Sequence, residues 1–175
     1  MSIALEQYIR TIQDFPKPGI GFKDITTLLK EPQPFREVIE QFAAHFAGRK
    51  VQKIVGIESR GFIFGAPLAL KLNAGFVPAR KPKKLPAATV REEYQLEYGT
   101  DALEIHADAI QAGENVLVID DLLATGGTAA ATSRLVEKLG GKVAGLGFLI
   151  ELDFLNGRRH LSRYEVHSLI HVASE

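Results

Sequence analysis

An α/β fold, a parallel sheet flanked by helices, is what this sequence predicts. Two observations lead to it. Short apolar runs that do not alternate, KIVGIE at 53–58, NVLVIDD at 115–121 and KVAGLGFLIEL at 142–152, read as strands buried on both faces. Helical stretches separate such runs, FIFGAPLALKLN at 62–73 and GTAAATSRLVEKLGG at 127–141. Strand, helix, strand in this order implies parallel pairing through right-handed crossovers.

The elements follow in chain order. Residues 3–13 are expected to form a short helix burying Ile3, Leu5, Ile9 and Ile12. FPKPGIGFKD comes next, and its Pro16, Pro18, Gly19 and Gly21 break regular structure into a rigid loop. In 34–47, Phe35, Val38, Ile39, Phe42 and Phe46 recur at helical spacing, with Pro34 suited to the first turn. The strand at 53–58 runs into SRG, then the helix at 62–73, then a strand, GFVPARK, at 75–81. Residues 82–98 are polar, hold two prolines and keep no period, so a long loop is expected. ALEIHADAI at 102–110 reads as strand then turn. The helix at 127–141 starts and ends at glycine, and the tail, 157–175, is expected to be a strand-containing cap around YEVHSLIHV. No repeat, low-complexity tract or linker divides the chain, which predicts a single domain over 1–175.

Composition narrows the function. With 175 residues, 46% of them hydrophobic, the chain can bury one full core. Lys+Arg 21 balances Asp+Glu 21, so broad electrostatic binding to nucleic acid or anionic membrane is not expected. The absence of cysteine rules out disulfides and thiolate metal sites. The start, MSIALEQYIRTIQDF, lacks the basic and continuous apolar regions of a signal peptide. No apolar run approaches the roughly 20 residues of a membrane span. A soluble cytoplasmic protein is the expectation. His167 and His171 stand four apart in a β-like tail without HExxH, so no metal site is assigned to them.

VLVIDDLLATGGT at 116–128 carries the most chemistry. Ligands of open α/β sheets bind beyond the carboxyl ends of strands, where VLVIDD delivers Asp120 and Asp121. ATGGT then meets a helix start, whose free N–H groups and dipole favour a phosphate. Ala124 opens this segment, Gly126 and Gly127 permit close backbone approach, and Thr125 and Thr128 add hydroxyl donors. No Gly-Lys-Ser/Thr follows, so it is not a Walker A loop. No GxGxxG is present, so it is not a dinucleotide fingerprint. A ribose 5-phosphate satisfies both halves: its phosphate takes ATGGT and its hydroxyls donate to the carboxylates. The same charges would stabilise a positive sugar ring. Consecutive strand side chains point to opposite faces, so the two aspartates are not expected to play equal parts.

The string VLVIDDLLATGGT resembles the phosphoribosyl-diphosphate signature of type I phosphoribosyltransferases, and its ATGGT form is similar to the adenine-using members. FPKPGIGFKDITTLLKEP (15–32), GIESRGFIFGAPLA (56–69) and ARKPKKLP…LEYG (79–99) agree with this. The resemblance covers about residues 5–160. It implies the family fold with a small hood from the N-terminal loop and C-terminal elements. It implies transfer to adenine from phosphoribosyl diphosphate, giving AMP and diphosphate, with Mg²⁺ carried by the diphosphate and no protein metal site. It implies a homodimer acting on small molecules. By the same resemblance Ser59 and Arg60 hold pyrophosphate, often across a strained non-proline peptide, with Glu58 where relatives often have Asp. Arg80, Lys81 and Lys84 bind diphosphate. Residues 85–99 form a flexible lid ending in catalytic Glu97 and Tyr98; on composition alone, Arg91, Glu92 and Glu93 read as plain surface charge. Phe22 and Lys23, where relatives often carry Arg, belong to a hood over the base, with Leu152 as its opposite wall. Two rival functions are a transferase for another purine base and a non-catalytic nucleotide sensor.

Overall fold

The computed structural model describes residues 3–95 and 99–174. Its centre is a five-stranded sheet of β3 (Lys53–Ile57), β4 (Gly75–Ala79), β7 (Asn115–Leu123), β8 (Lys142–Leu152) and β9 (Val166–Val172), ordered β4-β3-β7-β8-β9. Every pairing in it is parallel. The non-alternating apolar runs therefore have the predicted cause, since both faces are covered. Along β7, Val116 and Val118 join one core cluster, and Leu117 and Ile119 join the other.

Helices α2 (Pro32–Phe46) and α3 (Gly61–Lys71) cover one face, and α4 (Gly127–Lys138) covers the other. On α2 the helical spacing predicted from sequence is the buried stripe: Val38, Ile39, Phe42 and Phe46. Burying each such side chain contributes about 1.5–3 kcal/mol relative to exposing it. One short helix, α1 (Thr26–Leu29), precedes α2. Among the described residues no helix is long and apolar enough to cross a membrane.

Four segments differ from the sequence reading. The expected helix at 3–13 is a 3-10 turn, Leu5–Tyr8, followed by β1 (Arg10–Ile12). This strand pairs antiparallel with β2 (Phe22–Asp24), which lies inside the expected loop. A cross-strand interaction explains the change: Arg10 sits opposite Asp24, and its Nε donates to Oδ2 at 3.1 Å. The loop between them turns through a cis Phe15–Pro16 bond, and Asp14 Oδ1 accepts from the Gly19 N–H at 2.7 Å.

The expected loop at 82–98 contains β5 (Thr89–Gln95), which forms a hairpin with β6 (Thr100–His106). Glu92, which reads as surface charge, accepts from Arg134 Nε at 2.6 Å and pairs with Lys138, both on α4. The tail holds the expected strand within YEVHSLIHV, but in the sheet and not as a cap. Its strand β9 is the edge of the central sheet, fastened where Glu151 on β8 accepts from Arg158 at 2.6 and 2.7 Å and from Ser168 Oγ at 2.6 Å.

Hydrogen bonds from Arg10 and Thr26 hold the Asp24 carboxyl at about 2, below its ordinary 3.8. A lowered carboxyl stabilises the fold above its unfolded value and loses that contribution as pH falls through the folded one. Urea melts of the wild type and of Asp24→Asn should therefore converge between pH 4 and 2. Curves that stay parallel over that range would show that this contact does not anchor β1 to β2.

Candidate active site

Three parallel strands stop at one edge of the sheet, and each delivers charged groups there. After β3 come Glu58, Ser59 and Arg60, with a cis peptide between Glu58 and Ser59. After β4 come Arg80 and Lys81. Near the end of β7 lie Asp120 and Asp121. Gly61 opens α3 tightly against β7: a Cβ there would stand 2.7 Å from the Ile119 carbonyl oxygen and 3.1 Å from Asp120 Oδ1. Only glycine lets the two elements approach so closely.

Arg60, Arg80 and Lys81 each meet a carboxylate here. Arg60 Nε lies 2.8 Å from Asp121 Oδ2. Arg80 Nη2 lies 3.3 Å from Glu58 Oε2, and the Lys81 backbone N–H also donates to Glu58. The Lys81 ammonium donates to Tyr94 Oη at 2.9 Å and to Asp101. Burial pushes the Asp120 carboxyl well above its usual range, and the adjacent Asp121 charge pushes it further. Burial raises Asp121 too, against the opposing pull of Arg60. Both shifts favour the protonated form, and Arg60 opposes them at Asp121; a hydroxyl donor or a developing cation beside the pair would likewise favour its charged form.

A cavity of about 230 Å³ opens among these groups, lined by Ser59, Arg60, Lys81, Asp120, Asp121 and Thr128, with Glu58 and Tyr94 on its walls. A smaller one, about 80 Å³, is lined by Ala124, Thr125, Gly126 and Thr128. The two share Asp120, Leu122 and Thr128. Gly127 begins α4, whose first N–H groups lack helical acceptors. Gly126 has φ +84°, and a Cβ there would meet the Gly157 carbonyl oxygen at 2.4 Å.

The hood forms a third cavity, about 350 Å³, between the β1–β2 pair and the residues after β8. Ile20, Lys23, Leu152 and Phe154 line it, and the Lys23 ammonium donates to Thr11 Oγ1 at 3.0 Å. Phe22 links hood to centre, with the Arg60 guanidinium carbon 5.3 Å from its ring centroid.

The chain matches the model of the phosphoribosyl transferase domain over residues 24–170. It belongs to the phosphoribosyltransferase family. It is 62% identical over 157 residues to the adenine phosphoribosyltransferase of Gloeobacter violaceus, covering 90% of this chain and 92% of that one. With the enzyme of that name from Koribacter versatilis it shares 57% over 168 residues, 96% of this chain and 92% of the relative. Among solved structures, adenine phosphoribosyltransferase from Thermoanaerobacter pseudethanolicus superposes with TM-score 0.93 at 55% identity, covering 96% of this chain and 98% of that one. The enzyme from Saccharomyces cerevisiae, complexed with adenine and an imino-altritol bisphosphate, gives TM-score 0.91 at 43% identity, covering 94% and 96%.

Most residues singled out in this phosphoribosyltransferase from its sequence converge on these three cavities. Two stand apart. Arg80 turns back toward Glu58 and the Lys84 carbonyl, and Lys84 is exposed; neither lines the central cavity. Glu97 and Tyr98 lie outside the described residues. Sequence reasoning missed Tyr94, Asp101 and Gly157. Tyr94 had a usable signal, as the buried aromatic in an otherwise polar strand. Gly157 had none, because its role depends on the distant loop it abuts.

Gly126→Ala would place a methyl into the Gly157 carbonyl at a left-handed φ. It should cost more than about 1 kcal/mol of stability and weaken binding of a phosphorylated ligand. A urea melt matching wild type would contradict this packing.

Proposed function

We propose that this chain transfers the phosphoribosyl group of 5-phosphoribosyl 1-diphosphate to adenine, giving AMP and diphosphate and so salvaging the purine. One observation carries the reading: an acidic pair and a phosphate-sized nest share a wall at Asp120, Leu122 and Thr128. A sugar phosphate presents an anion and hydroxyls at that spacing. Curated relatives named adenine phosphoribosyltransferase support the base.

In this reading Ala124–Thr128 hold the 5-phosphate on backbone N–H groups and threonine hydroxyls. Asp120 and Asp121 accept from the ribose hydroxyls. The bond from C1 to the diphosphate oxygen breaks as an adenine nitrogen bonds to C1, and positive charge gathers on the ring meanwhile. The carboxylate pair stabilises that charge. Ser59, Arg60 and Lys81 receive the departing diphosphate, with Arg80 and Lys84 contributing charge nearby. Phe22, Lys23 and Leu152 hold adenine, and the apolar Ile20 and Phe154 on the hood cavity suit a planar ring. Glu97 takes the proton lost by the base and Tyr98 shields the site, on the strength of the sequence resemblance.

Mg²⁺ fits as a companion of the substrate. Among the described residues of the central cavity, Asp121 and Glu58 are engaged by Arg60 and Arg80. Most of the ion's ligands would then be diphosphate and water. When bound, the ion neutralises the leaving group's charge.

The chain works as one domain over 1–175, as a cytoplasmic homodimer.

Adenine-dependent release of pyrophosphate from phosphoribosyl diphosphate tests the reading, run beside hypoxanthine and guanine. Turnover of hypoxanthine but not adenine would overturn the choice of base. Asp121→Asn should lower kcat by roughly a hundredfold or more with the far-ultraviolet spectrum unchanged. Near-normal turnover would remove the carboxylate from the mechanism.

A further inference from the structure

Lys81 lines the central cavity, and its carboxylate partner, Asp101, is not part of that lining. Its ammonium bridges Tyr94 and Asp101, which stand directly opposite each other on β5 and β6. The ammonium also sits 5.5 Å from the Tyr94 ring centroid. Lys81 and Tyr94 line the central cavity, while Asp101 stands behind them. The pair is half open to water, with Lys81 40% and Asp101 30% exposed at the side chain.

We propose that Asp101 is a positioning residue that holds Lys81 in the absence of substrate and competes with the diphosphate for it. This rests on the phosphoribosyl diphosphate reading above. A diphosphate that draws the Lys81 ammonium toward itself competes with the Asp101 carboxylate for its charge. That exchange is feasible because Asp101 is not stranded by it: its Oδ1 keeps the Ala102 N–H at 2.8 Å, and Tyr94 Oη lies 3.3 Å from its Oδ2. Burial lowers the Lys81 pKa, but its bonds to Asp101 and Tyr94 outweigh that, so the ammonium is charged when the exchange begins.

The consequence is a deliberate weakening of the product complex. A partly exposed ion pair contributes up to about 1 kcal/mol. Apparent affinity falls by the fraction of sites in which the cation is free. Asp101 therefore reduces the hold on pyrophosphate and eases its departure.

Asp101→Asn keeps the shape and the bond from Ala102 but removes the competing charge. Pyrophosphate, titrated calorimetrically at fixed salt, should bind Asp101→Asn about three- to fivefold tighter than wild type. The KM for phosphoribosyl diphosphate should fall by a similar factor, with the KM for adenine unchanged. Asp101→Glu should stay near wild type. In a Lys81→Met background Asp101→Asn should have no effect. A merely structural role would instead weaken binding and lower the melting temperature. Unchanged or weaker pyrophosphate binding in Asp101→Asn overturns the proposal, and so does a gain that persists in Lys81→Met. If Asp101→Asn does not fold, Asp101→Ser is read by the same criteria. Wild type that binds pyrophosphate without adenine-dependent turnover would overturn the functional reading while leaving the role of Asp101 decided by binding. Wild type that binds no pyrophosphate overturns both.

Discussion

Helix α3 meets the end of β7 at a distance that no side chain tolerates. A Cβ on Gly61 would collide with the Ile119 carbonyl oxygen and crowd Asp120 Oδ1. Because that Cβ is missing, the turn after β3 lies directly over the acidic end of its neighbour. Arg60 then reaches Asp121 at 2.8 Å and spreads over Phe22 at 5.3 Å. One close contact thereby connects the central cavity, the sheet core and the hood. The parallel register does the rest, since it brings the carboxyl ends of β3, β4 and β7 to one edge.

Charge at that edge is stored in pairs. Arg60 faces Asp121, Arg80 faces Glu58, and Lys81 faces Asp101. A cleft that must accept a highly charged diphosphate would otherwise hold several unpaired cations close together, which is costly where water is scarce. Pairing each cation with a carboxylate lowers that cost. It also limits how tightly any anion is held, and turnover needs the product to leave. The acidic groups therefore belong to the same design as the cations they neutralise.

The sheet strands were legible because burial on both faces leaves an unbroken apolar run, as in NVLVIDD. The phosphate nest was legible because its glycines, threonines and aspartates are contiguous. What stayed hidden depended on partners far away in sequence. The charges of β5 read as a solvated loop, yet Glu92 is matched by Arg134 and Lys138 on α4. The strand β1 read as helix, because its three residues are defined by the pairing of Arg10 with Asp24 rather than by any period of their own. Asp101 gave no sign of function, since its significance comes from Lys81, twenty residues earlier, folding back across the hairpin. Local chemistry survives translation into sequence, and pairing across elements does not.

The central claim is that a sugar phosphate spans the two joined cavities with its base under the hood. A crystal structure of this chain with AMP bound tests it most directly. The phosphate is expected on the backbone N–H groups of 125–128, the ribose hydroxyls against Asp120 and Asp121, and the base between Phe22 and Leu152. A phosphate seated instead on Arg80 and Lys84, or a base lying outside the hood, would contradict it.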